Sequence, residues 1–411
     1  MDVGPSEHAR SVAAVRPPSA ARVLGLSMLA VFATTLFVRA VDPVIPRIAD
    51  HFAMDPHTVA LLATAFSLPY AIMQPVLGGL ADAFGKTRLM TWSLLALVIS
   101  AAVGAFAQSF SVLLMSRVIS GIVAGGVFPI SVAIAADLVT VEKRQVAVGR
   151  ILGAGMIGNV LGSPAAGMAA DLIGGRGVFV GMGALAAIAV VAALVGFRGL
   201  TSASASRVSI RSLPTTYGTI FHNPLAKICY GAVLVEAICL FGLMPYVAGL
   251  LAERGEARAS IAGLVIAGFG VGGIIYASSV SMLLGRLGER RLMLGGGTLM
   301  GLGLAVVALP LPWPLQGLDF IVLGLGFYML HGVIQIYASE LAPAARGSAM
   351  AMHSASFFFG NAIGPVVYGW TLPSVGLTAT VLPAGAILIG VGLVCARKLR
   401  RERASNERSP H

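Results

Sequence analysis

Charged residues are scarce in this sequence. Asp, Glu, Lys and Arg make up 11% of its 411 residues, whereas 57% are hydrophobic and the mean hydropathy is +0.89. A soluble domain usually carries about 25% charged residues, because its surface needs them. This shortage excludes an ordinary soluble protein, and the apolar excess excludes a disordered chain, since disordered chains are polar. The composition therefore predicts an integral membrane protein.

Cysteine is also rare, and Cys229, Cys239 and Cys395 all lie in or beside apolar runs. Their spacing matches neither a disulfide framework nor a zinc site, so we expect no metal and no cofactor. Residues 268–273 fit the nucleotide pattern G-x-G-x-x-G, but they lie inside an apolar run with no strand before them. The sequence also offers no nucleophile–base pair, so a membrane enzyme or a receptor is the least favoured class.

Long apolar runs dominate the chain. A helix needs about 20 mostly apolar residues to cross a bilayer, and membrane β-strands would show a short alternating pattern that this sequence lacks. We therefore expect an all-α membrane protein with twelve transmembrane helices. The predicted spans are 23–41, 59–80, 89–107, 111–136, 147–171, 178–197, 225–250, 260–284, 292–311, 316–338, 348–369 and 375–396.

The basic residues divide unevenly between the connections. With the N-terminus placed in the cytoplasm, 22 of the 28 Lys and Arg residues lie on the inner side and 4 on the outer side, while Arg39 and Arg117 fall inside spans. Cytoplasmic loops carry such an excess, so we predict a multi-pass protein of the cytoplasmic (inner) membrane with both termini in the cytoplasm. The net charge of +11 then indicates contact with lipid headgroups, and no nucleic acid partner is expected.

The two halves of the chain resemble each other at an offset of about 202 residues. Gly158-Asn-Val-Leu-Gly162 aligns with Gly360-Asn-Ala-Ile-Gly364, and Pro43 aligns with Pro245. Two six-helix halves in parallel repeat are the plan of a rocking secondary transporter. The predicted segments are a cytoplasmic tail (1–22), an N-terminal six-helix bundle (23–197), a cytoplasmic linker (198–224), a C-terminal six-helix bundle (225–396) and a basic cytoplasmic tail (397–411).

Several motifs resemble those of the major facilitator superfamily, over about residues 22–396. Residues 78–88 are similar to its loop signature G-x-L-A-D-R-x-G-R-K, although Ala83 stands where Arg is usual, and residues 117–121 resemble its R-x-x-x-G signature. Residues 149–167 resemble its antiporter signature, with Ser163 intruding as in sugar-efflux-like members. Residues 43–46 resemble the P-V-x-P mark of twelve-span drug:proton antiporters. The resemblance implies two pseudo-symmetric bundles and favours an exporter.

The resemblance also implies roles for two of these motifs. Asp82 is implied to latch the two halves at the cytoplasmic side, with Arg144 and the start of span eleven as candidate partners. A solvated turn charge is the alternative. Gly78 and Gly85 would permit the reversal between spans two and three. The full gating motif is Gly78, Asp82, Gly85, Arg88 and Arg144. The antiporter motif is Gly158, Gly162, Pro164 and Gly167, which we expect to provide a small-residue packing face and a bend.

Glu236 lies halfway along span seven, and we expect no other carboxylate near the bilayer midplane. A charge there costs at least about 2.5–3.5 kcal/mol on insertion scales. Because burial favours the neutral acid, Glu236 is suited to bind and release a proton. We interpret it as a proton-coupling or substrate residue, and a neutral hydrogen-bonded core acid is the alternative.

Three other ionisable residues fall in or beside the predicted spans. Arg39 and Asp42 end span one on a shared helix face. They form either an interfacial pair in which Arg39 extends outward or a gate for proton entry. Arg117 lies about two turns inside span four, too deep for a surface charge. The resemblance implies proton coupling or cavity shaping for Arg117, and a purely structural pair is the alternative.

The resemblance implies that spans one, four, seven and ten line a central cavity. The candidate cavity residues are Thr34, Phe37, Phe241, Tyr328, His331 and Gln335. A wall with few polar groups suits lipophilic or amphipathic molecules better than sugars, which require many hydrogen bonds. For His331 the alternative is a hydrogen-bonded core residue, which an intramembrane histidine more often is.

These observations lead to one favoured hypothesis and two alternatives. We expect a monomeric secondary transporter that exports small lipophilic or amphipathic compounds in exchange for protons, by alternating access. Its partners would be a small-molecule substrate, protons and the lipid bilayer. The alternatives are a proton symporter that imports a small metabolite and an exporter of sugars or metabolites.

Overall fold

The computed structural model describes residues 19–198, 218, 220, 222–342 and 345–399. Within these ranges the secondary structure is helical, and ten helical segments are long and apolar enough to cross a membrane. The predicted tails and linker lie largely outside the described residues. The structure is therefore an all-α membrane protein, as the sequence predicts.

Six spans form the first half of the chain. Their helices are Ala20–Arg39 with Ile45–Phe52 (span one), Pro56–Val59 with Leu61–Phe84 (two), Lys86–Ala105 (three), Phe110–Ala124 with Val127–Leu138 (four), Val141–Ile173 (five) and Gly175–Gly196 (six). The second half contains Pro224–Phe241 with Val247–Glu253 (seven), Ala259–Val307 (eight and nine), Trp313–Glu340 (ten) and Arg346–Lys398 (eleven and twelve). The last of these helices has 53 residues, about twice the length that a bilayer requires.

Single glycines reverse the chain between successive spans. Gly85 (φ 90°) separates spans two and three, and Gly288 (φ 72°) interrupts Ala259–Val307 at the equivalent position of the second half. Gly174 and Gly376 form a second equivalent pair, with φ of 80° and 81° and ψ of 173° in both. These φ values favour glycine, because a Cβ atom would clash there. The helices Ala259–Val307 and Arg346–Lys398 therefore contain two spans each. This gives twelve spans in two pseudo-symmetric halves.

The loop motif differs in one respect from the prediction. Gly78 lies within the helix Leu61–Phe84, so the reversal depends on Gly85 alone. The side chain of Asp82 is not among those that the structure describes, so its predicted latch to Arg144 stays a prediction. Arg88 and Arg144 are exposed.

Span one does not end at Asp42 as the sequence suggested. A short 3-10 turn, Asp42–Val44, links Ala20–Arg39 to Ile45–Phe52, so the chain continues beyond Asp42 towards the membrane surface. Span seven has the same plan, with the 3-10 turn Met244–Tyr246 at the equivalent position. Proline occupies each turn, at Pro43 and Pro245, where it is tolerated because the first residues of a helix need no N–H partner. The predicted repeat is thereby visible in the backbone.

We name the two ends of the molecule inner and outer according to the predicted distribution of Lys and Arg residues. The outer end carries the connections near residues 53–55, 106–109, 174, 254–258, 308–312 and 376, and the inner end carries the remaining connections. Spans two and eleven pack together across the two halves, as do spans five and eight. Cross-half contacts extend from Asp171 against Ser260 at the outer end to Tyr70 against Phe358 deeper in the bundle. The described conformation is closed at the outer end.

Candidate functional site

Arg39 and Asp42 form a buried polar cluster where the two halves meet. The Arg39 Nη1 atom lies 3.3 Å from Asp42 Oδ2, and Asp42 is 1% exposed. Arg39 Nη2 donates a 2.8 Å hydrogen bond to Asn361 of the second half, and the guanidinium lies 4.5 Å from the centroid of Phe241. The predicted interfacial pair with Arg39 turned outward is therefore wrong. Because span one continues to Phe52, both side chains are enclosed by helices and turn towards the other half.

Arg117 reaches the same region from span four. Its Nη2 and Nε atoms donate to the carbonyls of Phe37 (3.2 Å) and Leu62 (3.4 Å), and its guanidinium lies 4.4 Å from the centroid of Phe66. Nη1 is buried without a partner among the described residues. Asp42 interacts electrostatically with both arginines. One carboxylate thus lies among two guanidinium groups.

Glu236 is fully enclosed in the second half. It is 0% exposed, and its Oε2 atom lies 2.9 Å from Nδ1 of His331 on span ten. Its Oε1 atom has no partner among the described residues. This arrangement brings together two side chains that the sequence proposed separately. The hydrogen bond joins spans seven and ten within the second half.

His353 on span eleven belongs to the same cluster, and sequence reasoning missed it. Its ring centroid lies 4.9 Å from that of His331, and its Nε2 atom is buried without a partner among the described residues. Asp319 on span ten was missed as well; it is buried, and its Oδ2 atom is unpartnered in the described part of the chain. Asp319 lies near the start of the helix Trp313–Glu340, towards the outer end, and not halfway along a span as Glu236 does. The available signal was the presence of an ionisable residue inside an apolar run.

A layer of phenylalanine rings separates the two polar clusters. Phe241 lies at its centre, with ring-centroid distances of 5.2 Å to Phe269, 5.2 Å to Phe327 and 5.0 Å to Phe357. His331 stacks on Phe327 at 4.6 Å, while Arg39 covers Phe241. Edge-to-face rings contribute about 0.5–1.5 kcal/mol per pair beyond their burial. We call these four phenylalanines the aromatic layer.

A narrow cavity of about 20 Å³, with room for about one water molecule, lies on the Arg39 side of the aromatic layer. Its polar lining is Arg39, Asn159 and Tyr328, and its apolar lining is Met156, Val160, Phe241, Met244, Ile266, Phe269 and Gly270. Two predicted cavity residues, Phe241 and Tyr328, are thus present. Asn159 was missed as a polar group, although it lies inside the repeated motif.

The remaining cavity candidates lie elsewhere in this conformation. Thr34 is buried, and its hydroxyl donates to the Ala30 carbonyl of its own helix at 2.7 Å. Phe37 is buried in the first half, and His331 lies behind the aromatic layer beside Glu236. Gln335 is exposed. Helix rotation decides these positions, and span periodicity alone does not fix it because apolar residues cover every face.

The antiporter motif packs helices within and between the halves. Gly158 and Gly162 face the backbone of span one, where a Cβ at Gly162 would lie 2.8 Å from the Leu36 carbonyl oxygen. Gly360 and Gly364 face span seven in the equivalent way. Gly167 instead lies against the backbone of Ala259 in the second half. Small residues thus allow the close helix contacts that stabilise membrane bundles.

Asp171 connects the halves at the outer end. Its carboxylate accepts hydrogen bonds from the backbone N–H groups of Ala259 (3.2 Å) and Ser260 (2.9 Å), which begin span eight. Arg47 binds the same carboxylate from span one. A helix N-terminus has unpaired N–H groups and a partial positive charge, so a carboxylate there is stabilising. We call this contact the outer cap.

Twelve spans in two pseudo-symmetric halves, with ionisable groups buried where the halves meet, define a multi-pass membrane transporter. The sequence model of the Major Facilitator Superfamily matches residues 27–345 and 230–411. The chain belongs to this superfamily, and it is a transporter rather than an enzyme.

Two relatives are similar along nearly the whole chain. Multidrug resistance protein 2 of Bacillus subtilis (strain 168) is 25% identical over 387 residues, which covers 91% of this chain and 95% of the relative. The Quinolone resistance protein NorA of Staphylococcus aureus is 24% identical over 386 residues, with 92% and 97% covered.

Solved transporter structures have the same fold. The nucleoside transporter NupG superposes with a TM-score of 0.75 at 15% identity, covering 93% of this chain and 99% of that one. A bacterial homolog of the human lysosomal transporter Spinster, solved in an inward-facing and unoccupied conformation, superposes with a TM-score of 0.69 at 15% identity, with 92% and 95% covered.

Proposed function

We propose that this transporter exports small lipophilic or amphipathic compounds across the cytoplasmic membrane in exchange for protons. The observation that carries the proposal is the Glu236–His331 pair, because a fully buried carboxylate with a single partner can change its protonation as its surroundings change. Relatives described as multidrug and quinolone resistance proteins support the export direction.

The proposed cycle alternates between two conformations. In the described one, the halves meet at the outer end through the outer cap and the Arg39–Asn361 hydrogen bond. Opening outward has to break these contacts and expose the buried polar clusters to external water. Protonation of Glu236 from outside would then favour the return, because a neutral acid enters an apolar environment more easily than a charged one. Release of the proton to the inner side completes the exchange.

The proposed coupling has two parts that differ in location. Glu236 and His331 carry the proton behind the aromatic layer, whereas Arg39, Asp42 and Arg117 connect the halves on its other side. Coupling between separated sites requires an element with two arrangements that both sites bias. Phe241 is suited to this role, since its ring contacts Arg39 and the phenylalanines beside His331.

Inverted membrane vesicles provide the test. Respiration acidifies their interior, and an acridine dye reports the pH gradient. We expect lipophilic compounds from a chemical panel to release protons from vesicles that contain the transporter. Glu236→Gln should abolish this release, whereas the control Glu253→Gln, at an exposed position of the outer end, should retain it.

The outcomes separate the hypotheses clearly. Compound accumulation that persists after the gradient is collapsed would refute proton exchange. Proton-coupled uptake of a single nutrient by whole cells would instead support a symporter. Normal proton release by Glu236→Gln would remove Glu236 from the coupling mechanism.

A further inference from the structure

One pair of equivalent asparagines has different hydrogen-bond partners in the two halves. Asn159 and Asn361 occupy the same position of the repeated motif in spans five and eleven. Arg39 donates to Asn361 across the interface at 2.8 Å. The residue equivalent to Arg39 in the second half is Phe241, which has no hydrogen-bond donor on its side chain. In the described part of the chain no group forms a hydrogen bond with the Asn159 amide. This amide lines the narrow cavity beside the aromatic layer, which we call the central cavity.

The central cavity has a positive electrostatic character. Arg39 is the ionised side chain among its lining residues, and Asn159 and Tyr328 add N–H and O–H donors. The carboxylates of Asp42 and Glu236 are 1% and 0% exposed, so neither side chain faces the cavity. A cationic ligand would therefore meet a guanidinium without a carboxylate to balance its own charge.

The buried groups around the cavity also carry an excess of positive charge. Among the described residues, Asp42 is the one carboxylate that interacts with both Arg39 and Arg117, and the aromatic layer separates these groups from Glu236. An unbalanced charge in a low-dielectric interior is unfavourable. A ligand with one negative charge would bring this cluster to neutrality.

The remaining wall suits an apolar body. Phe241 and Phe269 lie 5.2 Å apart in edge-to-face contact, and Met156 and Ile266 complete the side opposite the polar groups. Ligand sites typically combine such an apolar wall with a few placed polar groups that orient the ligand.

We propose that the central cavity, widened as the two halves separate, binds organic anions. A carboxylate or a similar anionic group contacts Arg39, Asn159 and Tyr328, and an aromatic body packs against Phe241 and Phe269. This inference rests on the proposed function, because it names the substrate class of the exporter. It differs from a preference for lipophilic cations, which would need an accessible carboxylate.

Binding to the purified full-length protein in detergent tests the charge preference without a proton gradient. The probes are a naphthalene carboxylate, the matched carboxamide and the matched aminomethyl cation, each titrated while thermal unfolding is followed. The carboxylate should stabilise the protein at concentrations at least about tenfold below those of the carboxamide, which corresponds to about 1.4 kcal/mol. The cation should give no saturable stabilisation.

Variants of Asn159 keep the test independent of folding, because this side chain is exposed to the cavity. Asn159→Asp should remove the preference for the carboxylate and introduce binding of the cation. Asn159→Leu should weaken the carboxylate several-fold without cation binding, and Arg176→Gln, at the exposed outer end, should change nothing. Arg39→Gln should abolish carboxylate binding.

Several results would overturn the assignment. These are equal or tighter binding of the cation, an unchanged order of affinities in Asn159→Asp, or no stabilisation by any of the three probes. Proton exchange is measured separately in vesicles, so export with a cation preference would refute only the substrate class. Gradient-independent movement would refute the proposed function whatever the binding data show.

Discussion

Arg39 and Phe241 occupy equivalent positions of the two halves and contact each other, with the guanidinium carbon 4.5 Å from the ring centroid. Two identical residues could not form this contact, since two guanidinium groups would repel. A desolvated cation–π contact is worth about 2 kcal/mol or more.

We expect Phe241→Leu to lower the thermal stability of the purified protein by about that amount. Phe241→Tyr retains the ring and should stay close to wild type. Phe241→Arg should yield no folded protein. Equal stability of the Leu and Tyr variants would show that the cation–π contact contributes nothing.

The outer cap should set the balance between the two conformations. Asp171→Ala removes the acceptor for the first N–H groups of span eight, and loss of such a cap costs about 0.5–2 kcal/mol. We expect the outward-open population to rise by about fivefold, since 1 kcal/mol changes an equilibrium by that factor. Spin labels at Asp50 and Leu309, both exposed at the outer end, would report it as a longer distance. Glu253→Ala, also at an exposed position of the outer end, is the control. An unchanged distance distribution in Asp171→Ala would contradict the role.

Glu236 and His331 should behave as one unit in unfolding experiments. His331→Leu leaves both carboxylate oxygens of Glu236 without a partner, and an unsatisfied buried polar group costs about 1–3 kcal/mol. Replacing both residues by Leu removes the polar groups together, so the double variant should be less destabilised than the sum of the single variants. Thermal unfolding in detergent measures this difference. Strict additivity would mean that the pair has no energetic coupling.

Packing between spans seven and eleven should tolerate no added methyl groups. A Cβ atom at Gly364 would lie 2.7 Å from the Cα atom of Gly242 and 2.8 Å from the Ile238 carbonyl oxygen. Gly364→Ala should therefore force the helices apart and destabilise the protein by about 1–3 kcal/mol. Gly390 is also helical but has open space around it, so Gly390→Ala should be neutral or stabilising by up to about 1 kcal/mol. Similar effects at both positions would show that packing does not distinguish them.

The predicted orientation can be tested with reporter fusions. Green fluorescent protein fused after Lys398 should fluoresce, because the C-terminal end of span twelve is predicted to face the cytoplasm. Alkaline phosphatase, which is active only outside the cytoplasm, should be active when fused after Leu311, between spans nine and ten. The opposite pattern would reverse the orientation and with it the names of the two ends.

The sequence was sufficient for the fold but only partly for the site. Hydropathy and length predict twelve spans because each crossing needs a long apolar run, and the repeat predicts two halves. The depth of Asp42 was mispredicted, since Pro43 and Pro46 are typical of a helix end, whereas here they begin a further helical segment. The pairing of Glu236 with His331 depends on how spans seven and ten are rotated about their axes. The apolar sequence of either span alone does not determine this rotation. Asn159 was visible in the repeat, but its availability follows from the replacement of an arginine by Phe241 in the other half.

The four reversing glycines also limit how the spans can move. Spans two and three are joined by a single non-helical residue, Gly85, and Gly174, Gly288 and Gly376 join three further pairs in the same way. One residue covers about 3.5 Å, far less than the bilayer thickness. The end of one helix and the start of the next are therefore held at the same face of the membrane, and neither helix of a pair can shift along the membrane normal without the other. These eight spans thus form four pairs that move as units when the halves rock.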